Sequence, residues 1–358
     1  MTPSVNPPGE EREVARICAM HLNKLGLDVK LDEFAPGRAN VVAFAGDPDN
    51  LGLVLYGHLD CVPATGDWVH EPYSGVIENG FLWGRGSSDM KSGCAAIIEA
   101  TDAAIRCGRP WKKGLCIALV ADEERLNLGV KRIRDTTILR ADACIVCEPT
   151  KLQVHLGNRG YTSFRIRASG LACHAGQPHN GINAIYRMGR VICELEDFSL
   201  RLAKRIHPQL GSMSLSVGTI HGGTQLNIVP DSCEIEVEVR VFPGFTAQDM
   251  QKELQALLGD AVSVVIRSDL PASYQQEDSD LVLAAANCVQ AVTGIAPRVE
   301  CFPACSEASF FSIGYCIPTI LLGPGDISCA HKPDEQVDVQ QITQAVEIYA
   351  MMIEKYCL

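Results

Sequence analysis

Short apolar runs alternate with helical repeats along the first part of the chain. Apolar positions recur at helical spacing between residues 10 and 25, and Gly26 supplies a stop signal, so the pattern predicts a first helix. The runs LVLY, CIALVA and ACIVC each predict a buried strand, and a further helix is predicted from about Cys94 to Cys107. This alternation predicts an α/β fold, a mostly parallel sheet covered by helices.

Beyond about residue 155 the pattern changes to the polar-alternating segments YTSFRIRAS and DSCEIEVEVRVF, which are typical of antiparallel strands with one solvated face. The predicted order is strand, helix, strand, strand, helix, strand, that of a ferredoxin-like α+β module. After it, PTILLG predicts another buried strand and residues 339–354 a last helix. We therefore predict one domain formed by residues 1–157 and 269–358, with a second domain, residues 158–268, inserted into it.

Length, charge and cysteine content indicate what class of protein this is. A length of 358 residues exceeds what one hydrophobic core usually serves, in agreement with two domains. The net charge of -12, without a compensating run of Lys and Arg, argues against nucleic acid and anionic membranes as partners. The N-terminus lacks a secretory signal and no apolar run reaches membrane-spanning length, so we expect a cytoplasmic protein whose 16 cysteines are reduced.

Acids and histidines follow several of the predicted strands, where open parallel sheets gather their ligand-binding side chains. The candidates are His58, Asp60, Asp89, Asp122, Glu123, Glu124, Glu148 and His331. Taken singly, each could be a helix cap or a solvated loop residue. Together at one sheet edge they would repel one another or lie unpaired without a cation. Imidazoles with carboxylates suit zinc or a similar divalent ion.

Two ions become plausible if one carboxylate bridges them, and Asp89 is the expected bridge. The spacing of His58 and Asp60 lets the Asp60 carboxylate accept the second imidazole N–H, as carboxylates beside metal-binding histidines commonly do. Asp60 is therefore expected to assist catalysis without binding the metal.

Six segments, in this order along the chain, resemble the zinc aminoacylase and carboxypeptidase family: GHLD, GRGSSDMKSG, DEE, CEPT, HAGQPHNGINAI and GPGDISCAHKPDE. The resemblance implies a catalytic domain interrupted by a lid and dimerisation domain, a homodimer, and a cis peptide bond after Asp89. It implies two zinc ions per chain, with cobalt or manganese as alternatives, and Glu123 as the general base. The implied ligands are His58, Asp89 and Glu148 for one ion, and Asp89, Glu124 and His331 for the other.

The resemblance also implies roles for the inserted domain. His174 would reach the site of the neighbouring subunit and stabilise the oxyanion, and Asn227 and Arg240 would bind the substrate carboxylate. The alternatives are an ordinary loop histidine at position 174 and a solvated arginine on the wet face of a strand.

The substrate is the least specified feature. CEPT, CSEASFF and GPGDISCAHKPDE most resemble the acetylornithine deacetylase branch of the family, so the expected substrate is a small N-acyl amino acid, N-acetylornithine first, with a place in arginine biosynthesis. Glu307 would pair with the side-chain ammonium of that substrate, or merely cap the following helix. Alternatives within the family are a succinyl-diaminopimelate desuccinylase and a glutamate-type metallo-carboxypeptidase. A further alternative is a non-catalytic metal-binding regulatory protein of the same fold, and the intact Glu123 argues against that one.

Overall fold

The chain divides into two compact units. The computed structural model describes residues 2–358. One unit takes the chain up to Gly157 and again from Tyr274 to Leu358, and the other is Asn158–Ser273. The second unit runs past residue 268, because its last long strand continues to Leu270.

The regular elements alternate along the chain much as the sequence pattern predicts. The α-helices are α1 (Arg12–Lys24), α2 (Ser92–Arg106), α3 (Leu128–Thr136), α4 (Ala184–Leu202), α5 (Ala247–Leu258), α6 (Asp280–Thr293) and α7 (Val339–Cys357). The strands are β1 (Asp28–Ala35), β2 (Arg38–Ala45), β3 (Leu51–His58), β4 (Ile77–Glu78), β5 (Phe81–Trp83), β6 (Gly114–Val120), β7 (Ala141–Val146), β8 (Val154–Asn158), β9 (Gly160–Ser169), β10 (Cys173–His174), β11 (Ile206–His207), β12 (Gly211–Ser212), β13 (Ser214–Gly222), β14 (Ile228–Val229), β15 (Ser232–Val241), β16 (Val262–Leu270), β17 (Ser273–Tyr274), β18 (Val299–Phe302), β19 (Thr319–Leu321) and β20 (Gln336–Asp338).

A nine-stranded sheet forms the core of the first unit, in the order β1-β2-β6-β3-β7-β19-β8-β17 with β18 also paired to β8. The central strands β6, β3, β7 and β19 are parallel, and the outer pairs β1 with β2, β2 with β6, and β19 with β8 are antiparallel. Every residue of β3 and β6 is buried, as expected for strands covered on both faces. The predicted α/β class with a largely parallel central sheet is confirmed.

Amphipathic helices supply the apolar cover of this sheet. In α1 the buried residues include Val14, Cys18 and Leu22, four residues apart, so one face of the helix packs on the core. The final helix, α7, buries Ile348 and Met352 in the same cluster as the sheet. All 16 cysteines are free, in agreement with the predicted reduced state.

The second unit is a four-stranded antiparallel sheet, in the order β13-β15-β9-β16, that packs against α4 and α5. Its element order of strand, helix, strand, strand, helix, strand is the predicted ferredoxin-like arrangement. Alternate residues of β9 and β15 are buried, so each strand has one core face and one wet face. Among residues 2–358, no helix combines the length and apolar character that a membrane span requires.

Candidate metal centre

Three neighbouring strands of the central sheet end in candidate ligands. His58 is the last residue of β3, Glu123 and Glu124 follow β6, and Glu148 follows β7 after a single cysteine. Because β6, β3 and β7 are adjacent and parallel, their carboxyl ends lie at one edge of the sheet. This topology explains how acids and histidines far apart in sequence converge.

Two loops complete the cluster. Asp89 lies in the short helical turn Ser87–Lys91 that leads into α2, and the peptide bond between Asp89 and Met90 is cis, which confirms the expectation from the family resemblance. His331 lies in the loop before β20. A small sheet in the order β20-β5-β4 holds the two loops together, and the Gly84 N–H donates to the carbonyl of Glu335 at 2.8 Å.

Asp89 lies between the two imidazoles. Its Oδ1 is 3.1 Å from Nε2 of His58, and its Oδ2 is 3.3 Å from Nε2 of His331. The same His331 nitrogen is 3.0 Å from Oε1 of Glu124. Each oxygen of Asp89 thus faces a different imidazole, which is the arrangement that a carboxylate bridging two ions requires.

Among residues 2–358, potential ligand atoms group into three sets, and within each set they all lie within 4.8 Å of one another. The sets are His58 with Asp89 and Glu148, Asp89 with Glu124 and His331, and His58 with Glu123 and Glu124. The first two are the triads implied by the family resemblance, and they share Asp89. The third places Glu123 in the same cluster.

The electrostatics of the cluster fit a divalent cation. Burial raises the pKa of Glu123 and of Glu148 well above the usual range, and neighbouring carboxylates raise both further. Burial alone would also raise the pKa of Asp89, but hydrogen bonds from His331 and His58 hold it below its usual value. Hydrogen bonds to Asp89 and Glu124 raise the pKa of His331 to about 10. Several carboxylates buried side by side are stabilised by a bound cation, and imidazole with carboxylate is a donor set that binds zinc.

The comparison with known families agrees with this geometry. The sequence model of peptidase family M20/M25/M40 matches residues 54–355. This chain belongs to that family. Acetylornithine deacetylase of Aliivibrio fischeri is 32% identical over 361 residues, covering 96% of this chain and 92% of that protein. The acetylornithine deacetylase of Vibrio cholerae is 29% identical over 365 residues, covering 98% and 92%.

Solved structures of M20 proteins share the fold. The metallo-carboxypeptidase Sso-CP2 from Sulfolobus solfataricus superposes with a TM-score of 0.79 at 19% identity, covering 99% of this chain and 96% of its own. The YXEP protein of Bacillus subtilis, described as a dinuclear metal binding peptidase, has a TM-score of 0.72 at 16% identity, covering 96% and 91%. By its family, this chain is a metal-dependent amidohydrolase.

Asp60 connects two of the ligand-bearing loops of this M20 hydrolase. The Nδ1 atom of His58 is 3.0 Å from the main-chain carbonyl of Asp60 and 3.6 Å from its Oδ1, so the carbonyl is the nearer acceptor. The Asp60 carboxylate accepts the backbone N–H of Glu123 at Oδ1 and of Glu124 at Oδ2, both at 3.1 Å. The carboxylate therefore fixes the loop after β6 more directly than it fixes the His58 ring.

Sequence reasoning missed the residues that position Asp89. Glu335 accepts the backbone N–H of Ser88 at 2.9 Å and of Asp89 at 3.0 Å through Oε1. Its Oε2 accepts from Nη1 of Arg85 at 2.6 Å, and both side chains are buried. Both residues stood within the recognised segments GRGSSDMKSG and GPGDISCAHKPDE, but their pairing joins positions 250 residues apart, for which the sequence offers no signal.

Glu307 is fully buried beside the same cluster. The Tyr56 hydroxyl donates to its Oε2, and Tyr56 lies two residues before the end of β3. One carboxylate oxygen of Glu307 therefore accepts from Tyr56 and the other has no hydrogen-bond partner among the described residues, so the helix-cap alternative is wrong. Burial raises the pKa of Glu307 to about 8, while the hydrogen bond from Tyr56 acts to lower it.

The second unit carries the remaining predicted residues. His174 and Asn227 lie at one antiparallel ladder, in which β10 pairs with β14 and the Ala175 N–H donates to the Asn227 carbonyl at 2.9 Å. Both side chains are exposed. Arg240 lies near the far end of β15, where its Nε donates to Oε1 of Glu238 at 2.7 Å. The structure therefore groups His174 with Asn227 and leaves Arg240 apart from them within this unit.

We expect zinc binding to release protons near neutral pH. The pKa of His331 is raised to about 10, so this imidazole holds a proton between pH 6 and 8 before the ion binds, and burial raises the pKa of Glu148 in the same direction. The apparent affinity for zinc should therefore rise between pH 6 and 8, by about tenfold per pH unit for each proton released. Calorimetry in two buffers of different ionisation enthalpy measures the proton count. Glu148→Gln should lower that count, and a dissociation constant independent of pH would contradict the expectation.

Proposed function

We propose that the chain hydrolyses the amide bond of an N-acyl amino acid with two zinc ions, and that N-acetylornithine is the substrate. The observation that carries the proposal is the position of Asp89, one oxygen facing each imidazole, with a separate carboxylate completing each triad. Cobalt or manganese would suit the same donors. His58, Asp89 and Glu148 would hold one ion, and Asp89, Glu124 and His331 the other.

Glu123 is left without a metal to bind in this assignment and is the proposed general base. When bound, the ions lower the pKa of water and polarise the amide carbonyl. Glu123 takes a proton from the attacking water and returns it to the departing amine, and burial raises the pKa of its carboxyl above the usual range. The Asp60 carboxylate keeps Glu123 in place by accepting a hydrogen bond from the backbone N–H of Glu123.

Two observations support the choice of acyl group and amino acid. The curated relatives at 29 to 32% identity are named acetylornithine deacetylase, and the alignments cover nearly the whole chain. In addition, Glu307 is buried beside the cluster with its Oε1 atom lacking a hydrogen-bond partner among the described residues. A carboxylate so placed suits the side-chain ammonium of N-acetylornithine.

The inserted unit has a proposed role in the same reaction. His174 would donate to the oxyanion in the active site of a second copy of the chain, which requires a homodimer. Asn227 and Arg240 would bind the substrate carboxylate. The exposure of His174 and Asn227 on one ladder leaves both side chains accessible for such contacts. Location in the cytoplasm, like the homodimer, stays a prediction from the sequence.

A substrate panel with zinc-loaded protein tests the proposal. The panel contains N-acetyl-L-ornithine, N-succinyl-diaminopimelate and a dipeptide with C-terminal glutamate, each also assayed after chelation. We expect hydrolysis of acetylornithine with the highest kcat/KM and loss of all hydrolysis on chelation. A best rate on the succinyl compound or the dipeptide would reassign the substrate within the family. Absence of hydrolysis of every compound would refute the proposed function.

Replacing Glu307 by Gln tests the specificity. The change keeps the side-chain volume and removes the carboxylate, so the kcat/KM for N-acetyl-L-ornithine should fall by roughly 10- to 100-fold, since an ion pair with a desolvated ammonium is lost. N-acetyl-L-norvaline, which lacks the amine, measures the effect on a matched neutral substrate. The ratio of the two kcat/KM values should fall in Glu307→Gln and stay constant in Glu347→Gln, a change at an exposed site on α7. An unchanged ratio in Glu307→Gln would exclude Glu307 from substrate recognition.

A further inference from the structure

Asn6 is a buried side chain that contacts two carboxylates behind the metal centre. Only 2% of the residue is exposed. Its Nδ2 donates to Oδ2 of Asp60 at 2.9 Å and to Oδ1 of Asp122 at 2.9 Å. Its Oδ1 accepts from Nη2 of Arg38 at 3.0 Å. Both N–H donors and the carbonyl oxygen of the amide are thus each bonded to a charged group.

The two carboxylates that Asn6 joins are the ones that shape the loop after β6. Asp60 accepts the backbone N–H of both Glu123 and Glu124. Asp122 precedes Glu123 directly and accepts the backbone N–H of Leu128 at 3.2 Å through its other oxygen. The φ of Asp122 is 71°, in the left-handed region that residues other than glycine adopt uncommonly.

The charges around Asn6 explain why this position needs a neutral donor. Asp60, Asp122 and Glu11 are all fully buried, and Arg38 is ion-paired with Asp122 and with Glu11, the latter at 3.4 Å. The Arg38 guanidinium thus pairs with two of these three carboxylates. The Asn6 amide supplies two more N–H donors without adding charge, and a carboxylate in its place would add a fourth acid and remove both donors.

We propose that Asn6 and Arg38 are positioning residues for the general base, acting through Asp60 and Asp122 on the backbone that carries Glu123. The inference rests on the proposed function for its kinetic consequence. Asn6 comes from the segment before α1, and Arg38 from the start of β2, so two parts of the chain remote from the reacting atoms set the position of Glu123. Neither residue touches the substrate or the ions in this account.

Hydrogen exchange tests the positioning without any substrate. In zinc-loaded Asn6→Ala, the backbone N–H groups of Glu123 and Glu124 should exchange at least ten times faster than in the wild-type chain, because their acceptor Asp60 has lost its own support. Asn287→Ala, at an exposed position of α6, is the matched control and should leave exchange in the loop unchanged. Arg38→Lys is the second variant, since it keeps the charge and loses the planar fork.

Kinetics separate a positioning role from a purely structural one. The folded, zinc-loaded Asn6→Ala and Asn6→Asp variants should lose roughly 10- to 100-fold in kcat with KM within about twofold of the wild-type value, the cost usual for a misplaced catalytic group or a lost supporting contact. Asn6→Asp should lose more than Asn6→Ala, because it adds a buried charge. The double variant Asn6→Asp with Asp122→Asn exchanges amide and carboxylate and should recover part of kcat.

Two results would overturn the inference. The first is a folded Asn6→Ala variant and an Arg38→Lys variant in which kcat and the exchange rates of the Glu123 and Glu124 N–H groups all remain at wild-type values. The other is a loss of activity that follows only the loss of bound zinc, which would assign Asn6 to metal retention. A wild-type chain that hydrolyses no N-acyl amino acid counts against the proposed function instead, and the exchange measurement then still decides the role of Asn6.

Discussion

Replacing Glu123 by Gln is expected to lower kcat for the best N-acyl amino acid by roughly 1,000-fold, because the amide cannot take the proton of the attacking water. Zinc content should remain at the wild-type value, since Glu123 belongs to neither of the two triads that share Asp89. KM should change little, because the lost interaction acts in the transition state. Steady-state kinetics with metal analysis of the same sample measure all three quantities.

The control for this change is Glu347→Gln, which makes the same substitution on the exposed face of α7. It should retain wild-type kcat, KM and zinc content. A Glu123→Gln variant with wild-type kcat would remove Glu123 from the mechanism. A variant that loses zinc along with activity would instead make Glu123 a ligand, in agreement with the third set of clustered atoms, His58 with Glu123 and Glu124.

The change Asp89→Asn is expected to be at least as damaging. Asn presents one oxygen and one nitrogen that bears hydrogen, so it cannot face both imidazoles with a negatively charged oxygen. The chain should retain one zinc ion or fewer, and kcat/KM should fall by at least roughly 1,000-fold, since several kcal/mol of transition-state charge stabilisation depend on the ions. Added zinc should not restore the rate.

Asp260→Asn, at an exposed position after α5, is the matched control and should retain two zinc ions and full activity. Retention of both ions and of wild-type kcat/KM in Asp89→Asn would show that Asp89 does not bridge them. Loss of activity with both ions still bound would mean that Asp89 acts by another route, such as orientation of His58, from which it lies 3.1 Å.

The sequence predicts the layout of the fold and most of the candidate cluster. The helical spacing around α1 reflects a helix with one buried face, and the apolar runs in β3, β6 and β7 reflect strands buried on both faces. Both kinds of burial can be predicted from the hydrophobic pattern of the sequence. The strand-end position of residues such as His58 and Glu148 follows from topology, because parallel strands share one carboxyl edge. The cis peptide bond after Asp89 could be predicted only from the family resemblance.

The contacts that support the cluster were not predictable from local pattern. Glu335 bonds the backbone of Asp89, Tyr56 bonds Glu307, and Asn6 bonds Asp122, over separations of 246, 251 and 116 residues. Each depends on how distant segments pack, and a single buried polar residue leaves no periodic signal. For the same reason the sequence left two interpretations of Glu307 open, a substrate ligand or a helix cap. The structure excludes the helix cap.

Anomalous diffraction at the zinc absorption edge, from crystals of the zinc-loaded chain, tests the two-ion centre most directly. We expect two peaks about 3.5 to 4 Å apart, with one oxygen of Asp89 bound to each. Glu148 and His58 should coordinate one peak, and Glu124 and His331 the other. A single peak, or ions bound away from Asp89, would contradict the account.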